Sequence, residues 1–172
     1  MKLTIRITLL IIMLFGNKLN ASTLDIGQKL PSIKATLDSG EKVDLASKAA
    51  KGYTLVYFYP KADTPGCTKQ ACSLRDAFAD LSDRGVIVVG VSSDKPNAQK
   101  KFREKYHLPF MLMADSDLKI IDAFGVPTRL GIASRQAFLI LDAKIVWRVL
   151  KASTEEQAAD VLAALDAIRS DG

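Results

Sequence analysis

The apolar positions of this 172-residue chain fall into short runs of two kinds. Tyr53 to Tyr59 is aromatic and β-branched, which predicts a strand ended by Pro60. Val86 to Ser92 is apolar on both alternating sets, which predicts a strand buried on both faces, and Phe110 to Ala114 predicts a further short strand. Lys34 to Leu45, turning at Ser39-Gly40, predicts a small hairpin, and Gln136 to Leu141 with Lys144 to Leu150 predicts a longer one around Asp142-Ala143. Between these runs the spacing becomes helical. Leu74, Phe78 and Leu81 at i, i+4, i+7 predict one helix from Thr64 or Pro65 to near Gly85. A second is predicted from Pro96 to Tyr106, opened by Ser93-Asp94, and a third through Ile120, Ile121 and Phe124, capped by Asp115 or Ser116 and stopped by Gly125 and Pro127. A last helix, capped at Thr154, turns Val161, Leu162, Leu165 and Ile168 inward. Ser22 to Pro31 reads as an extended lead-in. Strand–helix–strand alternation early and a hairpin plus helix late predict an α/β layered domain with a mixed sheet.

Composition agrees: 48% hydrophobic and 25% charged residues suit one globular domain. The first 21 residues stand apart. Lys2 and Arg6 precede an apolar run from Ile7 to Phe15, and a polar exit leads to Ala21, the pattern of a secretory signal peptide cleaved to leave a domain over 22–172. Leu19 departs from the small residue expected before the cut, and an uncleaved anchor is the alternative, but the run is short of the roughly 20 residues of a spanning helix. Cleavage would remove Lys2, Arg6 and Lys18 with no acid, and the loss of three positive charges takes the net charge from +5 to +2. No Lys/Arg cluster with interleaved aromatics remains, so a nucleic-acid partner is not expected. No stable membrane association is expected of the cleaved form, and the location expected is exported and periplasmic.

The chemistry concentrates in Thr64-Pro65-Gly66-Cys67, followed by Cys72. Thr64 is placed to be an N-cap with Pro65 at the first helical position, which sets Cys67 third, where backbone N–H groups lack helical partners. A helix N-terminus favours an anion, so Cys67 reads as an activated nucleophile. On an unbroken helix, residues five apart have Cα atoms roughly 8.7 Å from one another. A disulfide needs less than about 7 Å, so a 67–72 bridge demands local unwinding. That favours a switch between a reduced helical state and an oxidised opened one. A permanent structural bridge stays open if the segment is a loop, since paired cysteines are usual in exported proteins. The absence of Cys-x-x-Cys weighs against a thioredoxin-type oxidoreductase. His107 is the only histidine, too few soft ligands for a zinc site, and no metal or cofactor is expected.

Tyr57-Phe58-Tyr59-Pro60-Lys61, Thr64-Pro65-Gly66-Cys67-Thr68 and Cys72 resemble the peroxiredoxins, in particular the peroxiredoxin Q or bacterioferritin comigratory protein subgroup. The similarity in layout runs from about Leu24 to the last helix. The resemblance implies a thioredoxin-like fold with a mixed central sheet flanked by helices and an N-terminal hairpin. It implies Cys67 as peroxidatic and Cys72 as resolving cysteine, with Thr64 and Pro60 shaping a peroxide pocket. Gly66 is read as a backbone donor beside Cys67 and as easing the opening of the helix. Arg135 matches the arginine set against the thiolate, better than Arg129 or Arg75. The implied activity is a monomeric thiol peroxidase acting on hydrogen peroxide and organic hydroperoxides and reduced by a thioredoxin-like donor. A disulfide-exchange protein and a small binding module with a fixed bridge are the competing readings.

Overall fold

The computed structural model describes residues 22–170; the leader reading lies outside the described residues. The elements run β1 (Lys34–Leu37), β2 (Lys42–Asp44), α1 (Leu45–Lys48), β3 (Tyr53–Phe58), α2 (Pro65–Asp76), α3 (Phe78–Asp83), β4 (Val86–Ser92), α4 (Pro96–Lys105) and β5 (Met111–Ala114). They continue through α5 (Lys119–Ala123), β6 (Thr128–Arg129), β7 (Ile132–Ala133), β8 (Gln136–Leu141), β9 (Lys144–Val149) and α6 (Gln157–Ser170).

Seven strands form one mixed sheet in the order β2-β1-β5-β4-β3-β8-β9. The centre, β5-β4-β3, is parallel, and antiparallel strands flank it on both sides. Parallel strands need covered faces, and the burial of β3 and β4 on both alternating sets provides them. One face packs Val56, Phe58, Val89, Phe138 and Ile140 against α1 and α5. The other packs Leu55, Tyr57, Tyr59, Val88 and Leu139 against α2, α3, α4 and α6. Tyr57 lies opposite Gly90 in the ladder, and a Cβ on Gly90 would stand 2.7 Å from Tyr57 Cζ and 2.7 Å from Leu112 Cδ2. Only glycine leaves room there for the Tyr57 ring.

Both predicted hairpins form; the second turns through Asp142 and Ala143 at φ 48° and 62°, the left-handed pair of a two-residue turn. The long helix predicted from residue 64 to Gly85 is two, because Ala77 at φ −95°, ψ 10° leaves helical geometry between α2 and α3. Several caps differ from expectation. Leu118, at φ 61°, precedes α5, and the Asp115 carboxylate reaches past it to accept from the N–H groups of Ile120 and Ile121. Ser153, not Thr154, accepts from Glu155 N and Glu156 N before α6. Asp94 does not cap α4; its carboxylate accepts from Ala62 N and Ser92 Oγ. The β6–β7 hairpin was not foreseen from the sequence. Among the described residues no helix is long and apolar enough to cross a membrane.

Candidate active site

β3 delivers Tyr59 and Pro60 to the C-terminal end of the central parallel strands, and the chain turns through Lys61 to Thr64 into α2. The turn is braced from below and from the side. Asp94 takes the Ala62 N–H at 2.7 Å, and Ser92 Oγ links Asp94 to Gln99, which accepts from the buried Tyr59 hydroxyl. Asp63, in the left-handed region at φ 58°, takes both Lys105 Nζ, at 2.8 Å, and the Tyr106 hydroxyl, at 2.7 Å. Those two hydrogen bonds, Lys105 first, hold the Asp63 carboxyl below the usual carboxylate range. A cleft of about 640 Å³ opens between this turn and α4, lined by Lys61, Asp63, Asp94, Phe102 and Lys105, and Cys67 does not line it.

Pro65 starts α2 and Cys67 is its third residue, as the capping reading requires, and its side chain is buried with 1% exposure. The cap differs from expectation. The Thr64 hydroxyl donates to Lys61 O at 3.0 Å and makes no side-chain bond to the helix end. Thr64 thus closes the turn, while its carbonyl accepts from Thr68 N at 2.8 Å and begins the helical ladder. The N–H groups of Gly66 and Cys67 precede the first helical bond and carry no side-chain cap, so they remain as donors at the helix end.

Arg135, between β7 and β8, reaches this end of the helix. Its Nη2 lies 3.5 Å from Cys67 Sγ and its Nη1 donates to Gln70 Oε1. Arg135 passes close over Gly66, where a Cβ would stand 3.3 Å from Arg135 Nη2 and 3.4 Å from Thr154 Cγ2. Of the other arginines weighed, Arg75 is engaged by Asp76 and Tyr106 O, and Arg129 lies on the exposed β6. Cys67 and Cys72 are both free thiols, Cys72 partly exposed, on a continuous α2. The helical spacing that forbids a direct bridge is therefore present.

Three further buried side chains stand around the site. Gln70, fully buried, joins Arg135 to Gln157 of α6, its Nε2 donating to Gln157 Oε1 at 2.9 Å. Tyr57, also fully buried, has a hydroxyl without a hydrogen-bond partner; burial pushes its phenol well up, and Tyr59, Cys67 and Cys72 act in the same direction. The sequence reading missed Gln70 and Gln157, whose amides meet only in the fold. Among the described residues no group of His, Cys, Asp and Glu could hold a metal ion.

Residues 26–149 match the AhpC/TSA family. The chain is 42% identical over 104 residues to peroxiredoxin Bcp of Bacillus subtilis, an alignment covering 60% of this chain and 66% of that protein. It is 40% identical over 126 residues to chloroplastic peroxiredoxin Q of Populus jackii, covering 72% of this chain and 58% of the relative. A solved structure of the Xanthomonas campestris bacterioferritin comigratory protein superposes with a TM-score of 0.76 at 28% identity, covering 83% of this chain and 98% of that one. The match over residues 26–149 places the chain in the AhpC/TSA family, among relatives named peroxiredoxin Bcp and peroxiredoxin Q.

Proposed function

We propose that this protein reduces hydrogen peroxide and organic hydroperoxides through Cys67, with Cys72 as the resolving thiol of the same chain. The observation that carries the reading is the 3.5 Å approach of Arg135 Nη2 to Cys67 Sγ at the free N-terminus of α2. The Cys67 thiolate attacks one peroxide oxygen; an S–O bond forms, the O–O bond breaks, and the leaving oxygen takes a proton and departs as water or alcohol. Negative charge builds on the leaving oxygen, where preorganised donors contribute most. Arg135 and the Gly66 and Cys67 N–H groups supply them, and Pro60 and Thr64 fix the turn that shapes the approach. The wider substrate range draws support from the alkyl peroxide reduction named for the Xanthomonas protein.

Cys67 is then a sulfenic acid, oxidised by two electrons. The Cys72 sulfur displaces its hydroxyl, which leaves as water with the thiol proton, and the 67–72 disulfide forms. Because both cysteines lie on α2, one chain suffices for the cycle, and the helix must unwind between them. An external dithiol of the thioredoxin type restores both thiols while becoming a disulfide itself. Read as a secretory leader, the pattern of residues 1–21 supports an exported, periplasmic donor and a working domain over 22–172. Reduced protein supplied with dithiothreitol consumes peroxide on this reading, and Cys67→Ser abolishes the consumption. Undiminished activity in Cys67→Ser would reject it.

A further inference from the structure

Arg135 is a donor only, so the Gln70 amide must turn its oxygen toward it, which leaves the Gln70 NH2 facing α6. Gln157 Oε1 meets that NH2 at 2.9 Å, and the Gln157 Nε2 is left buried without a partner. The polarity of the chain Arg135, Gln70, Gln157 is thereby fixed, with Gln157 as its terminal acceptor. Two further contacts join the same face of α2 to the start of α6. Ser73 Oγ accepts from Ala158 N at 3.2 Å, and Lys69 pairs with Glu155 at 2.6 Å at the surface. Gln70 stands between Cys67 and Cys72, within the stretch that a 67–72 bridge must unwind.

We propose that Gln157 is a positioning residue that holds Gln70 against Arg135 while Cys67 reacts and clasps α2 in its helical form, so that opening the helix for Cys72 releases Arg135 at the same time. The inference rests on the peroxidatic and resolving roles given above. It predicts opposite effects on the two halves of the cycle. Losing the Gln157 acceptor frees the Gln70 amide to turn, which loosens Arg135 and slows attack on peroxide. It also removes a bond from the helical state, which speeds resolution.

The test uses reduced protein, hydrogen peroxide and rapid mixing, with the Cys67 sulfenic acid and the disulfide followed separately. Gln157→Met, which keeps the length but lacks the acceptor, should oxidise Cys67 about fivefold more slowly and form the disulfide about fivefold faster, the worth of one ordinary hydrogen bond in each case. Hydrogen exchange at the amides of residues 68–76 should rise in the same reduced variant. Gln157→Glu keeps an acceptor in either protonation state and should restore both rates. Ser73→Ala, which has no tie to Arg135, should speed disulfide formation and leave Cys67 oxidation at the wild-type rate. Equal slowing of both steps, or unchanged rates and exchange in Gln157→Met, would overturn the proposal. A wild-type Cys67 inert to peroxide would instead reject the peroxidase reading, and the exchange measurement would still decide the clasp.

Discussion

Replacing Arg135 by Met removes the charged donor at Cys67 while keeping most of the side-chain stem. The structure assigns two losses. At the reacting sulfur the 3.5 Å Nη2 contact disappears. Removing one such donor typically costs about 10²–10³-fold in rate, and the lower end applies because Arg135 is only part-buried, giving about 10²-fold or ~2.7 kcal/mol of barrier. Behind it, the Gln70 Oε1 loses its partner in a fully buried site. An orphaned buried acceptor costs about 1–3 kcal/mol of stability, and a domain of this size loses about 2–4 °C of Tm per kcal/mol. Stopped-flow oxidation under excess hydrogen peroxide gives the second-order rate constant, and calorimetry gives Tm. Arg135→Lys should fall between, because one ammonium cannot serve Cys67 and Gln70 as a guanidinium fork does. A folded Arg135→Met protein that reacts at nearly the wild-type rate would refute the reasoning.

Gly90→Ala should destabilise the fold by about 1–3 kcal/mol, since its Cβ would overlap Tyr57 and Leu112 at 2.7 Å in a packed interior; thermal unfolding measures this. Asp63 is held below the usual carboxylate range by Lys105 and Tyr106, so it adds stability above that range and loses the contribution as pH falls through its folded value. Wild type should therefore exceed Asp63→Asn in Tm near neutrality, with the two curves converging below about pH 4. Cys72→Ser should perform one oxidation of Cys67 and then overoxidise under excess peroxide, as intact mass spectrometry would record; unchanged resistance would mean that a thiol outside the chain resolves Cys67, since the chain has only two cysteines.

The placement of Cys67 at a helix start was legible because it depends on local chemistry: a strand ended by Pro60, a proline at the first helical position and a cysteine two residues on. The sheet and its hairpins were legible for the same reason, through alternation and turn residues. The caps expected at Asp94 and Thr154 were displaced because an acceptor can be claimed by another element, as Asp94 is by Ala62, or be supplanted by its neighbour, as Thr154 is by Ser153, while Asp115 serves its expected helix by reaching across Leu118. Thr64 illustrates the same competition, its hydroxyl going to Lys61 O. Arg135 entered only by resemblance, since 68 positions separate it from Cys67 and no periodicity connects them. Gln70 and Gln157 were invisible because two amides 87 residues apart satisfy each other only after folding.

On the proposed cycle Cys67 and Cys72 bond by unwinding α2, and this is open to direct measurement. Reduced protein is treated with one equivalent of hydrogen peroxide, the bridge is mapped by peptide mass spectrometry and hydrogen exchange of the α2 amides is followed. The expected result is a 67–72 disulfide together with lost protection between those residues, reversed by reduction. A Cys67 thiol left untouched, or a bridge formed with α2 protection unchanged, would contradict it.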